Sequence, residues 1–91
     1  MRRIDDYFHI ENDQIIKTSN GEPILEDEPT FLFRARDKWA LLALRYYREL
    51  CVADGCNDYH IEGISQMMDK FAAFADRYPW RMKQPGINRG K

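Results

Sequence analysis

The apolar positions change period along the chain, and the changes predict its elements. Residues 7–10, Tyr-Phe-His-Ile, and 14–18, Gln-Ile-Ile-Lys-Thr, are short aromatic and β-branched runs on either side of Asn12-Asp13. Such runs flanking a polar pair read as a β-hairpin. Asn20-Gly21 is a second turn signal, since both residue types tolerate positive φ. Two prolines, Pro23 and Pro29, and the acids Glu26-Asp27-Glu28 then make a loop or extended connection. Thr30 to Arg36 alternates and predicts a third strand, with Phe31, Phe33 and Ala35 on one face and Leu32, Arg34 and Arg36 on the other.

At Asp37 the period becomes helical. Asp37 is a suitable N-cap, and Lys38 to Asp54 contains neither Gly nor Pro. Two stripes run along this first helix. One is Ala40, Ala43, Leu44, Tyr47 and Cys51; the other is Trp39, Leu42, Tyr46 and Leu50. So wide an apolar face predicts burial on more than one side, with Trp39 in the core. Gly55 is placed to end the helix, and Asn57 or Asp58 to cap a second one. The second helix carries a single stripe, Ile61, Ile64, Met68, Phe71, Ala75 and Tyr78, and stops at Pro79. The short link predicts an antiparallel helical hairpin with Phe71 buried at its seam. The expected fold is α+β in one domain. A small N-terminal antiparallel sheet within residues 1–36 packs on a two-helix antiparallel hairpin, 37–78, followed by a basic tail, 79–91.

Composition narrows the function classes. Of the 91 residues 44% are hydrophobic and 32% charged, which excludes a disordered tail. The net charge of -1 argues against a polybasic nucleic-acid coat. No apolar run is long enough to span a membrane, and Met1 to Asp6 lacks the apolar stretch of a secretory signal. Two cysteines are too few for a disulfide scaffold, so the cytoplasm is the expected compartment. The charge is unevenly spread. Residues 1–33 hold eight acids against three bases, a net of -5, and residues 34–91 hold eleven bases against seven acids, a net of +4. The tail is therefore expected to dock on the acidic Glu26-Asp27-Glu28, Asp5 and Asp6, within the chain or from another subunit, with Trp80 and Met82 as its apolar anchor.

Candidate chemistry is sparse. Cys51, Cys56 and His60 are the only cluster of ligand types, but the spacing does not fit a structural zinc site, and no metal is expected. The acidic run lacks the spacing of a calcium loop. No nucleophile elbow surrounds Ser19, Ser65, Cys51 or Cys56, and the glycines are scattered, so neither catalysis nor a phosphate-cradling loop is expected and no cofactor is implied. Lys38, Arg45 and Arg48 lie within about 80° on the first helix, directly after Arg34 and Arg36. These five are the candidate anion- or partner-binding residues; an Arg45–Glu49 pair on a solvated face is the plainer account. Tyr46, Tyr47, Trp80 and Met82 are the candidate interface residues, because exposed Tyr, Trp and Arg side chains anchor interfaces.

The run Asn20-Gly21-Glu22-Pro23, continued by Asp27-Glu28-Pro29-Thr30-Phe31-Leu32-Phe33-Arg34-Ala35-Arg36-Asp37 and by Met82-Lys83-Gln84-Pro85-Gly86, resembles small bacterial and phage or prophage proteins without an assigned activity. The resemblance covers roughly a quarter of the chain and is not diagnostic of an activity. It implies a small cytosolic accessory protein without catalytic residues.

The function expected is that of a non-catalytic protein acting by protein–protein interaction, as a homo-oligomer such as a homodimer, with another protein as a further possible partner. If the chain is of phage origin, its target would be a host enzyme or defence component. One alternative is a binder of a phosphorylated small ligand or nucleotide, using Arg34, Arg36 and Lys38 with aromatic stacking. Another is a ribbon-helix-helix-like dimeric DNA-binding regulator, in which Thr30, Leu32, Arg34 and Arg36 would face the bases. The charge balance disfavours nucleic acid.

Overall fold

In a computed structural model of the chain, the described residues are 2–5, 7–84 and 86. The chain divides into two compact units, Met1–Phe31 and Leu32–Lys91. Their content is α+β: an N-terminal antiparallel sheet followed by two helices that pack together.

The first unit is built on the expected hairpin. Strands β2 (Phe8–Glu11) and β3 (Gln14–Lys17) pair antiparallel, with Phe8 opposite Lys17, His9 opposite Ile16, Ile10 opposite Ile15 and Glu11 opposite Gln14. Asn12 and Asp13 form the two-residue turn, with φ of 52° and 61°. Positive φ at both positions matches the right-handed twist of the strands, and Asn and Asp accept it at least cost. A short strand the pattern does not reveal, β1 (Arg2–Arg3), pairs with β2 and completes the order β1-β2-β3. Asp5 makes the turn between them, its Oδ1 accepting from the backbone N–H of Tyr7 at 2.8 Å and of Phe8 at 2.9 Å.

The opposed pair His9 and Ile16 is the buried centre of this unit. The histidine satisfies both ring nitrogens, Nδ1 with Thr18 Oγ1 at 2.9 Å and Nε2 with Glu11 Oε2 at 3.3 Å. That explains how a polar ring lies in the apolar layer without an orphaned group. After the Asn20-Gly21 turn, where Gly21 has φ 74°, the chain returns along β3. Lys17 N–H donates to Glu22 O at 2.7 Å and Ile24 N–H to Ile15 O at 2.9 Å.

The strand expected over Thr30 to Arg36 is absent; the segment is irregular and ends in a turn in which Asp37 N–H donates to Arg34 O at 3.0 Å. Alternation describes a strand only where a neighbouring strand takes up its backbone groups. Phe31 is 83% exposed, so the apolar face of that alternation buries little.

Helix α1 runs Ala40–Ala53 and helix α2 Asp58–Arg77. Asp37 precedes α1 from two positions further out than expected, Trp39 being the N-cap, with its Oδ1 accepting from Trp39 N–H at 2.9 Å and its carbonyl from Ala40 N–H at 3.1 Å. At the other end Cys56 N–H reaches Cys51 O at 3.0 Å and Gly55 N–H reaches Val52 O at 3.2 Å, around Gly55 at φ 76°. This is a Schellman closure, and the left-handed residue at its centre is the reason for a glycine. Asn57 then caps α2, its Oδ1 accepting from His60 N–H at 2.7 Å. Four residues, 54–57, thus turn the chain back, and Arg48 of α1 meets Ser65 of α2, Nε donating to Oγ at 2.6 Å.

The seam between the helices is thin. Only Ala40 and Cys51 are buried on α1, and no residue of α2 is. Ile61, Ile64, Met68, Phe71, Ala75 and Tyr78 all lie half-buried, so Phe71 is not the enclosed core residue the stripe suggested. Trp39 is not a core residue either. Pro79–Arg81 forms one 3₁₀ turn, and the chain then runs beside the segment preceding α1. Lys83 N–H donates to Arg36 O at 2.7 Å, and Lys38 N–H to Lys83 O at 3.0 Å. The described part of the tail pairs by its backbone with the basic segment 36–38, which is not the acidic partner expected for it; Asp6, residue 85 and residues 87–91 lie outside the described residues.

Candidate interaction surface

At 100° per residue the two stripes of α1 separate. Of the inner one, Ala40, Ala43, Leu44 and Cys51 are buried or half-buried, while Tyr47 is 49% exposed. The outer one is open: Trp39 is 49% exposed, Leu42 49%, Tyr46 58% and Leu50 54%. Ala53, also exposed, continues it at the C-terminal end. These five positions span an arc of about 80°, centred about 120° round the helix from the inner stripe. One helical neighbour can cover one face only, so the second apolar stripe has no partner within the pair.

The candidate residues divide between the two faces. Tyr46 stands in the middle of the outer stripe. Tyr47 belongs to the inner face, where its hydroxyl hydrogen-bonds with His60 Nε2 at 3.3 Å and its ring lies edge-on to the imidazole, 6.1 Å between centroids. Arg48 also turns inward, to Ser65. Arg45 and Glu49 are exposed along one border of the outer stripe. Among the described residues neither is in an ion pair, so the i,i+4 pair open to them is not made.

Arg34, Arg36 and Lys38 are exposed before α1. The backbone pairing at Lys83 brings the tail beside Arg36 and Lys38. Lys38 Nζ lies over the Trp39 ring, 4.8 Å from its centroid. Trp80 and Met82 sit in a separate cluster at the end of α2. The Arg81 guanidinium lies 4.7 Å from the Phe74 centroid and 4.8 Å from that of Tyr78, and Arg77 approaches Tyr78 at 5.5 Å. Trp80 meets Tyr78 edge-on at 5.8 Å and is 72% exposed, while Met82 is half-buried. Cation–π contacts of this kind hold the 3₁₀ turn against the helix end.

Cys51 and Cys56 are both free thiols. Partial burial raises the pKa of Cys56 above the ordinary thiol value, with the Cys51 hydrogen bond and the neighbouring charges of Cys51 and Asp54 acting in the same direction. A thiol so placed is a poor nucleophile at neutral pH. Among the described residues no three His, Cys, Asp or Glu side chains come together as a metal-binding group. No helix among them is long and apolar enough to cross a membrane. Comparison with known protein families, curated proteins and solved structures found no match for the chain.

Proposed function

We propose that the chain is a small non-catalytic accessory protein that acts in the cytoplasm by protein–protein interaction, through the outer face of α1. One observation carries this reading: Trp39, Leu42, Tyr46 and Leu50 form a continuous apolar stripe, each about half exposed, on an ordered helix. Scattered surface apolars are ordinary, but a contiguous patch containing Trp and Tyr has the composition of an interface core. The free thiols suit a reducing compartment.

Photo-crosslinking tests the reading. A photoreactive amino acid replaces Leu42 in one variant and Asp69, an exposed residue of α2, in another. The expected result is an adduct of one defined mass from position 42 and none from position 69. No adduct, or equal adducts from both, would refute the assignment of the surface.

A second reading has one observation behind it. The pairing of Lys83 with Arg36 and Lys38 gathers exposed bases where α1 begins, a suitable place for a phosphorylated ligand. Calorimetric titration with a nucleoside triphosphate, on the wild type and on Lys38→Ala, decides it. Binding lost in the variant would support it, and no heat in the wild type would end it. The ribbon-helix-helix alternative loses the strand on which it depends, since Thr30 to Arg36 is irregular.

A further inference from the structure

We infer that the partner on the outer face of α1 is the same face of a second copy, in a two-fold antiparallel helix pair centred on Tyr46. The inference rests on the interaction reading above and names its partner. Three features of the helix select a second copy and an antiparallel direction.

The first is steric register. In an antiparallel pair centred on Tyr46, residues whose numbers are equally distant from 46 lie at the same level. Leu42 then meets Leu50 of the second copy, and the large Trp39 meets the small Ala53. Large against small at facing positions is how helix surfaces interdigitate.

The second is charge. A two-fold axis normal to the plane of an antiparallel pair brings each border of the stripe against the same border of the other copy. Arg45 and Glu49 share one border, and among the described residues neither is in an ion pair. At 1.5 Å per residue, Arg45 is offset by about 3 Å along the axis from the second copy's Glu49 and by as much from its Arg45, so each arginine has both a carboxylate and a like charge within reach, and the carboxylate must screen the second arginine. Symmetry makes the pair twice. A parallel arrangement would instead set this border against the one carrying Ala43, which offers no charge. The antiparallel direction also sets the basic start of α1, at Lys38, level with the negative C-terminal end of the other copy's helix.

The third is area. The exposed halves of two aromatic and two leucine side chains amount to roughly 400 Å² per chain. Two copies with the borders added come to about 1,000 Å², the lower limit for a specific interface. The pair is therefore a weak, reversible dimer with a micromolar dissociation constant.

Sedimentation equilibrium of the purified chain over roughly 1–300 µM, the range of such an interface, tests this together with four variants. The wild type is expected to rise from the monomer mass to twice that mass. Leu42→Glu should stay monomeric while keeping its far-UV circular dichroism. Arg45→Glu and Glu49→Arg should each weaken association about tenfold, and the double exchange should restore it to within about threefold. A wild type that is monomeric throughout would overturn the inference, and so would a dimer indifferent to Leu42→Glu or a double exchange that fails to restore it. If the purified chain stays monomeric while the position-42 crosslinker captures a different protein, the dimer fails and the interaction reading stands. If neither association appears, both fail.

Discussion

Leu42 and Leu44 are the same residue type two positions apart on α1, yet they face opposite sides, and truncating each should separate folding from association. Leu44 lies half-buried on the seam with α2, whereas Leu42 is 49% exposed on the outer stripe. A fully enclosed Leu→Ala change costs about 2–5 kcal/mol, transfer and cavity terms together. The seam is thin and among the described residues no large side chain is fully buried, so Leu44→Ala falls at the lower end, about 2 kcal/mol. A domain of this length has a total stability of only ~5–14 kcal/mol. Near the midpoint 1 kcal/mol moves the melting temperature by roughly 4–8 °C, so Leu44→Ala should lose roughly 8–16 °C. Leu42→Ala removes side-chain surface that is already half in water and leaves no cavity. Its cost at low protein concentration should be below about 1 kcal/mol, rising only where the chain associates. Thermal unfolding followed by far-UV circular dichroism at low and high concentration measures both. Equal losses for the two variants at low concentration would refute the division of α1 into an inner and an outer face.

Two further outcomes follow from local geometry. Asn57→Ala removes the acceptor for His60 N–H at the start of α2 and should cost about 1 kcal/mol in urea unfolding, whereas Asn57→Asp, which keeps an acceptor, should cost a few tenths. The Cys56 thiol, with its folded pKa raised, should alkylate more slowly than free cysteine at neutral pH. The sign for stability is fixed by the same shift. The neutral thiol is favoured in the folded state, so its contribution is fully present below the ordinary thiol pKa and declines as pH rises through the raised value. Cys56→Ser should flatten that alkaline decline, and an unchanged decline would place its cause elsewhere.

What the sequence made legible was local. Asn12-Asp13 between two β-branched runs specified a two-residue turn, and Gly55 followed by Asn57 specified a helix end and a helix start, because each device acts within a few residues. What it concealed was non-local. Thr30 to Arg36 alternates like a strand, but the segment is irregular, and among the described residues its backbone bonds, Arg34 O accepting from Asp37 and Arg36 O from Lys83, lie at its end. The pairing of Lys83 with Arg36 and Lys38 is made by backbone groups, which any residue could supply, so no pattern marks it. Arg45 and Arg48 are three residues apart and read as one basic patch. The Ser65 hydroxyl on α2 draws Arg48 to the seam and leaves Arg45 outside with Glu49.

The central claim is that the outer face of α1 is covered when the protein associates. Of the two tryptophans, Trp39 lies on that face and Trp80 at the end of α2. Trp80→Phe therefore leaves a single reporter on the stripe. Acrylamide quenching of Trp39 fluorescence should fall as protein concentration rises, tracking the increase in mass, and Leu42→Glu should abolish that fall. Quenching that stays constant while the mass increases would show that association uses another surface and would contradict the account.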